Sequence, residues 1–253
     1  MSSPSEKKIG RPTSEPIWTQ PPPGQRKPRY TREQIAEAAL AIADAEGIEA
    51  VSMRRVATAL GAGTMTLYHY VRTKDDLRAL MDDAIMSELL IPEGELPGDW
   101  RAAIAEIAQR SRAVFRRHPW VITARESEGE GGPNGMRHFE QSLAAVAGTG
   151  LDADERLEII AMVDDYVYGF VMRESRVSDG GTLDDVPEAL FDYLKRQLDT
   201  GDYPHIAELT AGGEPREVFG RIMATMFNER RFARGLERLL DGIERDIERR
   251  AGR

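Results

Sequence analysis

The chain has 253 residues, 41% of them hydrophobic, with 34 basic and 43 acidic side chains and a formal net charge of -9. That length accommodates a small domain and a larger one. No run approaches the eighteen or so uncharged apolar residues of a spanning helix, and Met1–Tyr30 lacks the apolar core of a secretory signal, so a soluble cytoplasmic protein without a membrane partner is expected. Cysteine is absent, which excludes disulfides, thiolate nucleophiles and Cys-containing zinc sites. The four histidines, His69, His118, His138 and His205, show no metal-ligand spacing. No metal, cofactor or catalytic residue is therefore expected.

The acidic balance is uneven. Residues 1–80 hold 12 basic and 9 acidic side chains, net +3, whereas residues 81–253 hold 22 and 34, net -12. Residues 1–30 alone carry 6 basic and 2 acidic groups. A basic end on an acidic body is the distribution expected when one end meets phosphate. A solvated tail on an acidic enzyme gives the same totals.

In chain order, residues 1–29 are rich in Pro, Ser, Lys and Arg, and Pro21-Pro22-Pro23-Gly24 opposes regular structure, so a disordered basic arm is expected. Thr31, with Gln34 three residues on, forms a capping box for a first helix with Ile35, Ala38, Ala39, Ile42 and Ala43 on one face and Gly47 at its end. Ser52 starts a second helix carrying Met53, Val56, Ala57 and Leu60, broken by Gly61-Ala62-Gly63. A short third runs from about Thr64 to Val71. Thr73 caps a fourth, striped with Leu77, Leu80, Met81, Ala84 and Ile85.

Residues 93–98 read as a linker, and a long amphipathic helix from Trp100 stops near His118-Pro119. Gly129 to Gly135 reads as a loop; it lacks the Gly-Lys-Ser/Thr of a phosphate-binding loop. From Asp154 to about Arg173 apolar residues cover nearly the whole circumference, which predicts a central helix. A last helix carries the stripe Phe232, Leu236, Leu239, Leu240, Ile243 and Ile247. No strand alternation is present. The expected fold is all-α, with a three-helix helix-turn-helix domain (30–92) after the arm (1–29) and a larger helical ligand-binding and dimerisation domain (93–253).

Residues 52–70 carry the most specific signal. Ala57 is small enough for two helices to cross closely, and Gly61 permits the sharp turn between them. With Leu67 and Val71 turned inward, the third helix presents Thr64, Met65, Thr66, Tyr68 and His69. That face has hydroxyls, a methyl-bearing group and rings but no carboxylate, as a surface approaching phosphates and base edges requires.

These residues, from Gly47-Ile48 through Ser52-Met53-Arg54-Arg55-Val56-Ala57, Leu60-Gly61 and Leu67-Tyr68-His69-Tyr70-Val71 to Lys74-Asp75-Asp76-Leu77, resemble the DNA-binding domain of the TetR family of bacterial repressors. The resemblance covers roughly residues 31–80. More weakly, His118-Pro119-Trp120, Gly201-Asp202-Tyr203-Pro204 and Phe232-Ala233-Arg234-Gly235-Leu236-Glu237 resemble the C-terminal domain of the tetracycline-repressor branch. The resemblance implies base contacts from Arg54, Thr64, Met65, Thr66 and His69, and phosphate contacts from Ser52, Tyr68, Tyr70 and Lys74. Tyr68 and Tyr70 also suit a core with wet hydroxyls, and His69 an ordinary surface. The arm offers Lys7, Lys8, Arg11, Arg26, Lys27 and Arg29 to a minor groove, or forms a passive tail.

For the second domain the resemblance implies a small-molecule inducer, amphiphilic and antibiotic-like. Trp120, Met136, His138, Met162, Asp165, Tyr166, Phe170 and Arg173 are the candidate lining, aromatic and methionine groups with a few polar ones. A homodimer joined through the C-terminal stripe is expected, because an apolar row over four turns calls for a cover. The implied function is a repressor of an efflux or antibiotic-related gene, released from a palindromic operator by its ligand. A DNA-binding regulator without an inducer, constitutive or activating, and more remotely a small helical enzyme, remain open alternatives.

Overall fold

The computed structural model describes residues 15–21, 29–123, 131–178, 186–210, 213–226 and 229–251. All regular structure among them is helical. The elements are α1 (Arg32–Glu46), α2 (Met53–Ala59), α3 (Thr64–Leu67), α4 (Lys74–Leu89), α5 (Trp100–Arg117), α6 (Trp120–Thr123), α7 (Pro133–Val146), α8 (Ala153–Ser178), α9 (Glu188–Asp199), α10 (Pro204–Thr210), α11 (Pro215–Met226) and α12 (Glu229–Ala251). The chain forms two compact units. Among the described residues, the first holds those up to Glu95 together with those from Trp120 to Ser142, and the second those from Leu96 to Pro119 and from Leu143 onward.

In the first unit α1 packs against α4, and α2 contacts both α1 and α3. Both long helices begin at capping boxes. Thr31 Oγ1 accepts the Gln34 N–H at 3.2 Å while Gln34 Oε1 accepts the Thr31 N–H at 3.0 Å. Thr73 Oγ1 accepts the Asp76 N–H at 2.9 Å, and Asp76 Oδ2 returns to the N–H groups of Thr73 and Arg72 at 3.1 and 3.0 Å. Each box satisfies backbone donors that a helix start leaves unpaired. The buried face of α1 is Ile35, Ala36, Ala39, Leu40 and Ala43. It is rotated from the face that periodicity predicts, because packing on α4 selects Ala36 and Leu40 over Ala38 and Ile42 from a helix apolar over a wide arc.

Part of the N-terminal arm is ordered, contrary to the sequence reading. Ile17–Thr19 forms a single 3₁₀ turn with the Ile17 side chain wholly buried. The Arg32 guanidinium donates to the Ile17 carbonyl at 3.1 Å, and Gln20, also buried, donates to Asp76 Oδ1 at 3.3 Å. One buried isoleucine and a buried amide with partners outweigh the local composition, which by itself argues against structure.

The Gly-rich stretch also differs from expectation. Residues 124–130 lie outside the described residues, but α7 begins at Pro133 and takes in Gly135. Pro at the first helical position needs no N–H partner.

The second unit centres on α8, which packs against α5 and α12. The Tyr166, Phe170 and Phe232 rings cluster with centroids 5.1 to 6.0 Å apart. Arg112 lies over Phe232 at 4.6 Å and pairs with Glu174 through Nε–Oε2 at 3.2 Å and Nη2–Oε1 at 2.5 Å. The Tyr166 hydroxyl donates to the Phe232 carbonyl at 2.8 Å, and burial holds that phenol above its usual range, so it stays a donor. Gly235 leaves room for that bond, because a Cβ at that position would meet the Tyr166 oxygen and displace it.

Two sequence expectations exchange roles here. Four residues of the α12 stripe, Phe232, Leu236, Leu240 and Ile243, are buried within its own unit, while Leu239 and Ile247 stay half-exposed. Helix α8, expected to be covered all round, instead leaves Leu157, Met162 and Met172 about 40% exposed along one face (41%, 43% and 40%). Its apolar circumference serves one face in the monomer and leaves the other open.

Phe232→Ala should lower the stability of the second unit by about 3–5 kcal/mol through the cavity it leaves, measured by urea unfolding followed by the near-ultraviolet signal of its rings. His138 supplies a pH test. Its Nδ1 is buried without a hydrogen-bond partner among the described residues, and burial pushes its pKa down. The unfolded chain therefore takes up the proton first. The stability that His138 contributes is complete above the ordinary histidine value of about 6.5 and is lost as pH falls below it. Unfolding curves of His138→Leu should be flatter than the parent's between that value and more acidic pH; parallel curves would contradict this.

Candidate nucleic-acid interface

The turn between α2 and α3 is defined by backbone hydrogen bonds. Ser52 Oγ accepts the Arg55 N–H at 3.3 Å and starts α2. At its end Gly61 adopts φ +63°, its N–H reaches the Thr58 carbonyl at 3.1 Å, and the Ala62 N–H reaches the Ala57 carbonyl at 2.8 Å. That pair of bonds is a Schellman closure with glycine at its left-handed position. The Tyr30 hydroxyl donates to the Leu60 carbonyl at 3.1 Å, and its ring meets Tyr70 edge-on at 6.4 Å. Tyr30 thereby fastens the turn to the start of α1.

Helix α3 is shorter than the sequence suggests. It ends at Leu67, and the chain continues through tight turns in which the Tyr70 and Val71 N–H groups reach the Leu67 carbonyl at 2.8 and 3.0 Å. Leu67 and Val71 are fully buried and lock the segment inward. Met65 is 75% exposed and Tyr68 42% exposed; Arg54, Ser52, His69 and Lys74 are exposed, and Thr64 and Thr66 are half-exposed. From Val51 to Lys74 the chain contains no carboxylate. Apart from Tyr70, the residues expected to face a duplex are thus exposed or half-exposed along a stretch of chain without carboxylates.

Tyr70 requires a correction. It is only 4% exposed and packs against Tyr30, so it belongs to the core rather than to a phosphate-facing surface. Its place in the sequence, one residue beyond exposed His69, does not show this; the partner that buries it lies far back in the chain, before α1.

Composition and helical spacing do not separate Arg55 from its neighbour Arg54, which only the family resemblance singles out, but the fold does. The Arg55 guanidinium is paired with Glu46, which holds the Glu46 carboxyl below and the Arg55 guanidinium above their usual ranges. The partners face each other across the bend between α1 and α2, so helical spacing gives no sign of the pair. Arg55 is thereby engaged on α1 while Arg54 stays on the exposed face. Of the arm cations, Lys7, Lys8, Arg11, Arg26 and Lys27 lie outside the described residues; Arg29 is exposed, with its guanidinium 5.5 Å from the centre of the Tyr30 ring.

The candidate ligand residues are not gathered into one cavity. Trp120 is buried in the first unit, where its indole donates to Asp44 Oδ1 at 2.8 Å beneath the Arg78 guanidinium at 5.7 Å. It ties α6 to α1 and is not available to a ligand in this structure. Met136 is exposed and His138 is partly buried, both on α7 in the first unit. Met162, Asp165 and Arg173 are exposed on α8. Only Tyr166 and Phe170 meet, in the aromatic cluster of the second unit. Beside that cluster lies a cleft of about 310 Å³ lined by Gln109, Arg112, Ala113, Arg116, Phe232 and Ala233. Four of those six sit on α5, which the sequence offers only as an amphipathic helix. Among the described residues no group of acidic or histidine side chains is arranged to hold a metal ion, and no helix is long and apolar enough to cross a membrane.

Comparison with known proteins agrees with this geometry. Residues 35–81 match the family described as bacterial regulatory proteins, tetR family, and residues 92–247 match the tetracyclin repressor-like C-terminal domain. The HTH-type transcriptional repressor DrrR1 of Streptomyces coeruleorubidus is 36% identical over 231 residues, covering 89% of this chain and 82% of the relative. Apo ActR from Streptomyces coelicolor superposes with a TM-score of 0.64 at 28% identity, covering 86% of this chain and 98% of that one. The structure of ActR in complex with actinorhodin gives 0.62 at 27% identity, with coverage of 86% and 98%. The matched families are regulators, not enzymes. The chain belongs to the TetR family of bacterial transcriptional regulators, with the family's helix-turn-helix domain and its tetracyclin repressor-like C-terminal domain both present.

Proposed function

We propose that this protein is a repressor that binds a palindromic operator as a homodimer and leaves it when a small molecule binds the second unit. The observation that carries the reading is the surface around α3: Arg54, Thr64, Met65, Thr66, Tyr68 and His69 project from a segment anchored by Leu67 and Val71 and framed by the Gly61 closure. Arg54 is suited to a bidentate guanine contact, and Thr64, Met65, Thr66 and His69 to hydroxyl, methyl and ring contacts with base edges. Ser52, Tyr68 and Lys74 take the phosphates on either side.

The homodimer is supported by the open face of α8. Leu157, Ala161, Met162, Asp165, Gly169 and Met172 lie along that helix and are exposed or half-exposed, a surface that a second copy would cover. Control by a ligand is supported by the cleft beside Phe232, where a ring, two guanidiniums and an amide suit an amphiphilic aromatic compound, and by the complex of ActR with actinorhodin. We assign the regulated gene to efflux of, or response to, an antibiotic-like compound.

The test is binding to palindromic duplexes taken from the DNA flanking the protein's own gene, with candidate effectors added to the bound complex. Arg54→Ala should weaken specific binding by about 5- to 150-fold, the worth of one bidentate base contact, and leave non-specific binding near its parent value. Unchanged sequence preference in that variant would refute the assignment. For the arm, replacing Lys7, Lys8 and Arg11 together by Ala should make the fall of log affinity with log salt shallower, by about 0.9 for each phosphate that the arm no longer neutralises. A slope equal to the parent's would make residues 1–14 a passive tail.

A further inference from the structure

The stretch proposed to read DNA, the reading segment, gives way to α4 at Arg72 and Thr73. The N–H groups of both residues meet one atom, Asp76 Oδ2, at 3.0 and 3.1 Å. The Asp76 side chain is buried, with only 4% of the residue exposed, so its other oxygen has little access to water. Oδ1 is met instead by the side-chain amide of Gln20 at 3.3 Å, from 56 residues earlier in the chain. The same amide nitrogen donates to the Glu15 carbonyl at 2.7 Å, and Gln20 itself is 6% exposed.

A small built element delivers Gln20 to this place. Its N–H closes the 3₁₀ turn on the Ile17 carbonyl at 3.2 Å, and the Thr19 N–H closes on Pro16 at 3.0 Å. Arg32, in the first turn of α1, donates to the Ile17 carbonyl at 3.1 Å, and the Ile17 side chain is wholly buried. These residues precede residue 35, where the match to the family's DNA-binding domain begins. They are an addition to the helix-turn-helix and not a part of it.

Neither capping box uses Gln20, so α1 and α4 start correctly without it. What Gln20 fixes is the direction of the Asp76 carboxylate. With Oδ1 held, Oδ2 faces Arg72 and Thr73. Remove the amide and a buried carboxylate oxygen loses its donor, which is costly. The carboxylate relieves that cost by turning toward another donor, at the expense of the Arg72 and Thr73 bonds. Those bonds fix the chain immediately after Val71, the buried anchor of the reading segment.

We propose that Ile17–Gln20 is a docked strut of the DNA-reading domain, in which Gln20 is a positioning residue that holds the junction between α3 and α4 through Asp76. The inference rests on the DNA-reading assignment above. Any contribution of Lys7, Lys8 and Arg11 is one of charge, read in the salt dependence. That of Ile17 and Gln20, which carry no charge, is one of geometry, read in the preference for sequence.

The test uses the full chain and two separate variants, so that one remains if the other fails to fold. Gln20→Met keeps the length of the side chain and removes its amide; Ile17→Ala loosens the turn that carries it. Hydrogen exchange without DNA comes first. The Arg72 and Thr73 N–H groups should exchange about fivefold faster than in the parent, the worth of one net hydrogen bond, while that of Val56 in α2 keeps its parent rate. Duplex binding comes second, to a palindrome that the parent selects from a random library. Affinity should fall by about fivefold, the reciprocal of the fraction of molecules whose junction stays ordered. Affinity for an unrelated duplex and the salt slope should keep their parent values, since no cation is lost. Parent exchange rates at Arg72 and Thr73 in folded Gln20→Met overturn the strut, and so does faster exchange with sequence preference unchanged; both leave the DNA-reading assignment intact. A parent protein that selects no duplex overturns that assignment, and the strut's part in reading with it.

Discussion

Two carboxylates buried on one face of α4 organise the first unit. Asp76 and Asp83 are two helical turns apart, which returns them to the same side of the helix, and both are nearly inaccessible to solvent. A buried carboxylate is costly unless donors surround it, and here each draws a different segment of chain to supply them. Asp76 takes the N–H groups of Arg72 and Thr73 and the amide of Gln20, so the exit from the reading segment and the ordered part of the arm share one acceptor. Asp83 takes the start of α7. The apolar core of α1 and α4 supplies most of the adhesion, but these two side chains decide which segments lie where.

The second unit solves a different problem with different chemistry. An arginine is placed among phenylalanines and compensated there. Arg112 is bidentate to Glu174 and lies over Phe232, so its charge is met by a carboxylate and its plane by an aromatic face, an arrangement lysine does not reproduce. Tyr166 closes the cluster against α12 at Gly235. The result is a polar network in contact with rings beside a cleft.

The surface proposed to face DNA depends on what is missing as much as on what is present. With Arg55 engaged by Glu46 and no carboxylate from Val51 to Lys74, that stretch carries its net positive charge through Arg54, Arg72 and Lys74, while the chain beyond residue 80 is strongly acidic. In the proposed complex, repulsion between acidic segments and a duplex would favour approach by the basic end.

Much of this is legible in the sequence. The caps at Thr31, Ser52 and Thr73, the break at Gly61 and the inward pair Leu67 and Val71 depend on hydrogen bonds and periodicities spanning a few residues, so sequence alone determined where α1, α2, α3 and α4 start, though not that α3 ends at Leu67, and that Val51–Lys74 carries no carboxylate. Only tertiary structure decided which arc of α1 is buried, that Tyr70 is core and Trp120 serves Asp44, that Ile17 and Gln20 belong to the fold, that α7 belongs with α4, and that α8 keeps an open apolar face. Each of those outcomes is fixed by a partner distant in the chain (51 residues in the case of Asp83 and Asn134) and by competition among several apolar surfaces for the same cover. Local pattern shows that a face needs burying; it carries no information on what will bury it.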